Sequence, residues 1–218
     1  MKKFGCIFDL DGVLVNTAHY HFKSWERLAR EIGFQLNPKI EENLRGISRM
    51  HSLDLVLADG NITCSSEDKI KYAALKNQWY LDSLKEAGHE IILPGTIDLL
   101  NALKEANISV AIGSASKNVH TVLAVTKLSS YFKIIVDGNE VAKSKPEPEV
   151  FINACRELQL REDQCIVFED SPKGVDAALR GGFRVIGIGN SEVLSKAECC
   201  FDSLAEVSFS FLVDFMTN

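Results

Sequence analysis

Short, almost wholly apolar runs alternate along this chain with segments whose apolar residues recur every three or four positions. Phe4-Gly5-Cys6-Ile7-Phe8 reads as a buried strand and stops abruptly at Asp9-Leu10-Asp11-Gly12. A helix then begins near Thr17, with Phe22, Trp25, Leu28, Ala29 and Ile32 at helical spacing and Gly33 as its stop signal. A second helix fits 48–58, closed by Asp59-Gly60. A third fits 66–87, with Ile70, Ala73, Ala74, Asn77, Leu81 and Leu84 on one stripe and Ser66 as N-cap before Glu67 and Asp68. No strand pattern interrupts this region, which predicts a helical lobe inserted after the first strand.

From Ile91 the rhythm changes. Helices over 96–106, 117–127, 148–158 and 172–180 alternate with strands over 108–112, 134–136, 165–168 and 184–187. Nearly continuous apolar strands between helices predict a parallel sheet covered on both faces. The expected fold is α/β: a Rossmann-like doubly wound parallel sheet built from 1–16 and 89–218, with an inserted α-helical cap over 17–88. Such sheets bind ligands beyond the carboxyl ends of their strands, where strand order reverses.

Four strand ends carry candidate chemistry. After the first come Asp9 and Asp11, which read either as a solvated Asp-Gly turn or as paired carboxylates needing a cation or a shared proton. After the second, Ser116 caps a helix starting at Lys117, and Ser114 beside that helix start forms a weakly specific anion cradle. After the third, Lys143 reads as solvated, whereas Pro146 stiffens the chain beside Lys145 and lets a fixed ammonium offset phosphate charge. After the fourth, Ser171 or Asp170 caps a helix with Pro172 at its first position. Capping leaves Glu169 unexplained, and carboxylates here together with Asp9 suit Mg²⁺. Each end has a bland reading alone. Acids, a hydroxyl, a lysine and more acids after four successive parallel strands instead describe a site for a divalent cation and a transferring phosphoryl group.

Composition narrows the classes. At 218 residues and 46% hydrophobic the chain can bury a full core, and its net charge of −6 argues against a nucleic-acid grip. No apolar run is long enough to span a bilayer, and Met1-Lys2-Lys3 starts no signal-peptide pattern, so a cytoplasmic protein is expected. Cysteines 6, 64, 155, 165, 199 and 200 lack zinc-type spacing and read as small buried hydrophobes.

The residues at the strand ends resemble the four motifs of the haloacid dehalogenase superfamily: Asp9-Leu10-Asp11-Gly12-Val13, Ser114, Lys145-Pro146 and Glu169-Asp170. The segment Thr17-Ala18-His19-Tyr20-His21-Phe22-Lys23-Ser24-Trp25 resembles the β-phosphoglucomutase branch. So do Arg45-Gly46-Ile47-Ser48-Arg49 with Ser52-Leu53, Lys76-Asn77, and Ser114 to Asn118. The resemblance implies Asp9 as a nucleophile that becomes an aspartyl-phosphate and Asp11 as general acid/base. Mg²⁺ would be held by Asp9, the Asp11 carbonyl and Asp170, with Glu169 supporting. Ser114, Ala115 and Lys145 would grip the transferring phosphate, and Arg49 the distal one. Thr17, His21, Trp25, Gly46, Ser52, Lys76, Ser116 and Asn118 would serve cap closure and the sugar pocket. On their spacing alone, Trp25 and Phe22 read first as packing, and Arg45 reads equally as solvated or as an auxiliary phosphate ligand. Asn16 and His19 depart from the branch, which commonly has Asp and Glu there. The implied activity is interconversion of β-D-glucose 1-phosphate and glucose 6-phosphate through a bisphosphate, with hydrolysis of a small sugar phosphate as the alternative. Sugar phosphates are the expected partners, of a monomer.

Overall fold

The computed structural model describes residues 3–217, so residues 1, 2 and 218 of the expected core lie outside the described residues. Strand β1 (Gly5–Phe8) lies in a six-stranded sheet with β2 (Ser109–Gly113), β3 (Ile134–Val136), β4 (Cys165–Glu169), β5 (Arg184–Ile188) and β6 (Cys199–Phe201). The order is β3-β2-β1-β4-β5-β6 and every pair is parallel. Order reverses at β1, which is flanked by β2 and β4, so the switch point falls where Asp9 leaves the sheet.

Register fixes the neighbours at that edge. Phe8 pairs with both Ile112 and Phe168, and the Asp9 amide donates to the Phe168 carbonyl at 3.0 Å. Asp9 and Glu169 therefore emerge side by side. Apolar clusters cover both faces: Phe8, Leu10, Leu14, Ile112 and Phe168 on one, Ile7, Ala111, Phe151 and Val167 on the other. Phe8 and Phe168 stack with centroids 4.6 Å apart, locking the two central strands.

Between β1 and β2 the chain forms α1 (Ala18–Glu31), a 3-10 stretch over Pro38–Leu44, α2 (Arg49–Asp59) and α3 (Ser66–Ala87), followed by α4 (Thr96–Glu105) against the sheet. Phe22, Trp25, Leu28, Leu53, Val56 and Ala73 give the first three helices an apolar cluster of their own. The remaining helices are α5 (Val119–Thr126), α6 (Glu149–Glu157), α7 (Pro172–Arg180) and α8 (Phe209–Thr217).

Several expectations need correction. The N-cap of α3 is Ser65, whose hydroxyl accepts from the Asp68 amide at 3.1 Å, rather than Ser66. Its buried stripe is Ala73, Lys76, Tyr80 and Leu84, while Ile70 is 65% exposed. The helix expected from Lys117 starts at Val119, because Ser116 accepts from the Asn118 amide in a local turn at 3.2 Å instead of capping a helix one residue on. Strand β6 and helix α8 had no clear pattern: β6 has three residues, all half-buried, on an open edge. Cys6, Cys155 and Cys165 are buried as expected, but Cys64, Cys199 and Cys200 are half-exposed, two of them because that edge strand has a neighbour on one side only.

Candidate active site

Asp9 leaves β1 into a tight turn. Gly12 has φ +89°, and a Cβ there would fall 1.9 Å from an Asp170 carboxylate oxygen. Only glycine lets the Asp11-Gly12 backbone approach Asp170 so closely. Of the two caps that the sequence offers, Ser171 is the one that caps α7, accepting from the Gly174 amide at 3.1 Å. That cap holds Glu169 and Asp170 in the turn after β4.

Behind this turn lies a buried ion cluster. The Lys145 ammonium, with no exposed side-chain surface, donates to Asp9 at 2.5 Å and to Glu169 at 2.6 Å. The other Glu169 oxygen accepts from the amide and hydroxyl of Ser171 at 2.8 and 2.9 Å. Both Glu169 oxygens are thus engaged, and this residue buttresses Asp9 and Lys145 from behind. Burial pulls the Lys145 ammonium down, but Asp9 and Glu169 outweigh it and hold its pKa above the ordinary lysine value. Burial pushes the Asp9 carboxyl up to about 7; Lys145 opposes this, while Glu169 and Asp11 add to it. Asp170 is pushed well above the usual carboxylate range by burial, then by Glu169 and Asp9, against the pull of Arg45 and Lys145.

This excess of carboxylate over cation is the setting that a hard divalent ion would offset. Asp9, Asp170 and the Asp11 main chain offer oxygen only, which fits Mg²⁺. No group of three or more His, Cys, Asp or Glu side chains is gathered as a metal cluster among the described residues. A magnesium site needs fewer, since that ion keeps water and phosphate oxygens in its shell.

One cavity lies over this floor, between the sheet edge and the helical lobe. Asp9, Asp11, Gly12 and Asp170 line it below. Ser114, Ala115, Ser116, Lys117 and Asn118 form the wall at the end of β2 and head of α5. Thr17, His21, Trp25, Gly46, Arg49, Ser52 and Lys76 close it from the lobe. All the residues expected in the site therefore meet in one place, except that Lys145 and Glu169 stand behind the floor rather than among the lining residues. Phe22 and Trp25, expected first as packing residues, pack in the lobe cluster and line the cavity as well.

The lobe wall is basic. Lys76 is 2% exposed, and its Nζ lies 2.7 Å from His21 Nδ1 and 4.6 Å from the Trp25 ring centroid. Burial lowers the Lys76 pKa well below the ordinary value, Arg49 lowers it further, and Asp11 opposes. Burial likewise lowers His21, then Lys76 and Arg49. Burial and the neighbouring Arg49 both disfavour charge on Lys76, and an incoming anion would offset that. Arg49 Nη2 donates to Asn118 Oδ1 at 3.3 Å, and Asn118 Nδ2 donates to Asn77 Oδ1 at 2.8 Å. Gly46, at φ +66°, brings its loop so near the sheet that a Cβ would meet the Ser171 hydroxyl at 2.3 Å. These hydrogen bonds and this close approach join the lobe to the sheet edge.

Thr17 sits at the start of α1 without capping it; its hydroxyl donates to Asp11 Oδ1. Burial raises the Asp11 carboxyl above its usual range, with Thr17, Lys145 and Lys76 opposing. Glu41 and Lys117 also line the cavity without having been assigned to it from the sequence, and Arg45, read there equally as solvated or as an auxiliary phosphate ligand, lines it too. No local pattern marks Lys117, and only its place over the cavity sets it apart.

A doubly wound sheet with acids after β1 and β4, a hydroxyl after β2 and a helical insertion behind β1 defines a phosphoryl-transfer class, and the chain belongs to it: residues 6–188 match the model of the haloacid dehalogenase-like hydrolase family. Within that family the chain is similar to the β-phosphoglucomutase of Bacillus subtilis, 31% identical over 208 residues, covering 94% of this chain and 92% of that protein. It is similar to the crystal structure of β-phosphoglucomutase from Clostridium difficile at TM-score 0.94 and 37% identity, covering 99% and 97% of the two chains. It is also similar to the phosphorylated carbohydrates phosphatase of Thermotoga maritima, 28% identical, covering 85% of each chain. No helix among the described residues is long and apolar enough to cross a membrane.

Proposed function

We propose that this chain is a phosphosugar mutase that interconverts β-D-glucose 1-phosphate and glucose 6-phosphate through an aspartyl-phosphate and glucose 1,6-bisphosphate. The observation that carries the reading is a cavity with two ends suited to phosphate. At the floor, the Asp9 nucleophile is backed by Lys145 and flanked by Ser114 and Ala115. At the far wall, Arg49 meets Asn118 at 3.3 Å, and a guanidinium takes anionic oxygens as a bidentate fork. A hydrolase acting on one phosphate needs only the first end. A mutase needs both, because its bisphosphate turns end over end.

Asp9 attacks phosphorus, and Asp11, held by Thr17, gives its proton to the departing sugar oxygen and later takes one back. Asp9, Asp170 and the Asp11 carbonyl would hold Mg²⁺, which when bound neutralises charge on the transferring phosphoryl oxygens. The segment 17–88 acts as a cap, and its closure keeps water from the phosphorylated aspartate.

The similarity to phosphatases at 26% and 28% identity supports a second reading, hydrolysis of a sugar phosphate on the same core. One assay separates the two. The pure protein is incubated with β-glucose 1-phosphate, Mg²⁺ and a trace of glucose 1,6-bisphosphate, and glucose 6-phosphate is measured against free phosphate. Glucose 6-phosphate in large excess supports the mutase; free phosphate as the main product overturns it.

A further inference from the structure

Among the described residues, one buried side-chain polar atom has no hydrogen-bond partner: the phenol oxygen of Tyr80. Tyr80 is fully buried on α3, one turn beyond Lys76. Leaving a buried hydroxyl unpaired is destabilising, because it loses its hydration and gains no bond in return. Phenylalanine would fill the same space without that cost.

The ring is gripped from two sides. It stacks on the His21 imidazole, with centroids 3.9 Å apart and planes 18° from parallel, and the Lys76 ammonium lies 5.0 Å from its centroid. Tyr80 and Leu84 pack into the apolar cluster of the sheet, with Phe8, Leu10 and Leu14. Ala73, earlier on the same helix, packs into the cluster of the lobe. Tyr80 therefore straddles the joint between lobe and sheet.

The groups that face it are Asp11 from the loop after β1, Thr17 at the start of α1, His21 within α1, Arg49 at the head of α2 and Lys76 on its own helix. Burial, and then the Asp11 charge, push the phenol well above the ordinary tyrosine range, against Thr17 and Arg49, so it keeps its proton and acts as a donor. Thr17 uses its one hydroxyl hydrogen on Asp11 and keeps its oxygen lone pairs free to accept. Thr17 is the side chain whose hydrogen bonding bears on the Tyr80 phenol, although the phenol oxygen has no partner in hydrogen-bond geometry.

We propose that Tyr80 is a positioning residue for Asp11: with substrate bound, its hydroxyl donates to Thr17, completing a chain from Tyr80 through Thr17 that fixes the Asp11 carboxyl toward the sugar oxygen. This rests on the role given above to Asp11 as general acid/base. It explains why a tyrosine occupies a place where a phenylalanine would be the more stable choice.

The test is Tyr80→Phe, which keeps the ring and its stacking. The melting temperature should stay level or rise. The kcat on β-glucose 1-phosphate should fall about tenfold with KM within about twofold, since a misaligned acid slows the step and leaves binding alone. The fall should be at least about threefold smaller on p-nitrophenyl phosphate, whose leaving group departs without needing a proton. A kcat within about twofold of wild type on the sugar phosphate, or equal losses on both substrates, would overturn the proposal. Were the wild-type protein to release free phosphate from the sugar phosphate, the mutase reading would fail. The same comparison of sugar and aryl leaving groups would still decide the role of Tyr80.

Discussion

Arg49 and Asn118 lie 69 residues apart in sequence and meet across the cavity, Nη2 to Oδ1, at 3.3 Å. Arg49 opens α2 of the lobe and Asn118 heads α5 against the sheet, so one contact joins the two halves of the molecule. The Asn118 amide is also held by Asn77 at 2.8 Å, which fixes the wall against which the guanidinium rests. A phosphate arriving here would meet a positive fork and the amides of a helix N-terminus together.

Arg49→Ala should therefore lower kcat/KM for β-glucose 1-phosphate by about a hundredfold, the scale of a lost charge-assisted pair. Hydrolysis of p-nitrophenyl phosphate, which has no distal phosphate, should fall much less. Steady-state kinetics on both substrates check this, and equal losses would remove Arg49 from the distal site.

Asp9→Asn should abolish turnover, by about a thousandfold or more, and leave no acid-labile phosphate on the protein after incubation with acetyl phosphate. The fold should survive, because Lys145 keeps Glu169 at 2.6 Å and the new amide oxygen can still accept from it. Circular dichroism and phosphoenzyme trapping measure the two parts separately. Residual activity of a few per cent in a protein free of wild-type contamination would refute the nucleophile.

Removal of divalent metal should stop the reaction reversibly. Asp9, pushed up to about 7 by burial, and Asp170, pushed well above its usual range, are disposed to take up protons when no cation offsets them. EDTA should abolish activity and excess Mg²⁺ restore it. Calorimetry should find binding in the wild type and a large loss in Asp170→Ala. Full activity in EDTA would sink this assignment.

His21 gives a pH dependence of known sign. Burial lowers its pKa well below the ordinary 6.5, with Lys76 and Arg49 pulling the same way. Below about pH 6.5 the unfolded chain takes up a proton at this residue while the folded one does not, so its contribution makes stability fall as pH drops. Denaturant midpoints of wild type and His21→Gln, compared from pH 7.5 down to pH 5, should diverge, the wild type losing more. Parallel curves would show that His21 titrates normally.

Much of the architecture was written locally. An apolar strand that ends in acids carries its own boundary, and Ser171-Pro172 announces the start of α7 in two residues. The motif residues after β1, β2 and β4 were legible for the same reason: chemistry at the end of a parallel strand is a linear pattern. The lobe helix α3 was less so. Its stripe was sought among Ile70, Ala73, Ala74, Asn77, Leu81 and Leu84; Ala73 and Leu84 do lie on the buried face, but that face runs through Lys76 and Tyr80, which the stripe left out. A lysine on the inward face contradicts hydrophobic periodicity, and it does so because that face borders the cavity.

What the sequence by itself determined is the alternation of elements, the helical insertion after β1 and the placing of acids, hydroxyl and lysine just beyond strand ends, since periodicity, caps and turn residues act within a few positions of one another. What only the tertiary structure decided is which groups touch: Lys145 set behind Asp9 and Glu169, Asn118 joined to Arg49 and Asn77, Tyr80 wedged between lobe and sheet, β6 paired at the edge. Those partners lie far apart along the chain, and packing of whole elements, not any local preference, brings them within a hydrogen bond.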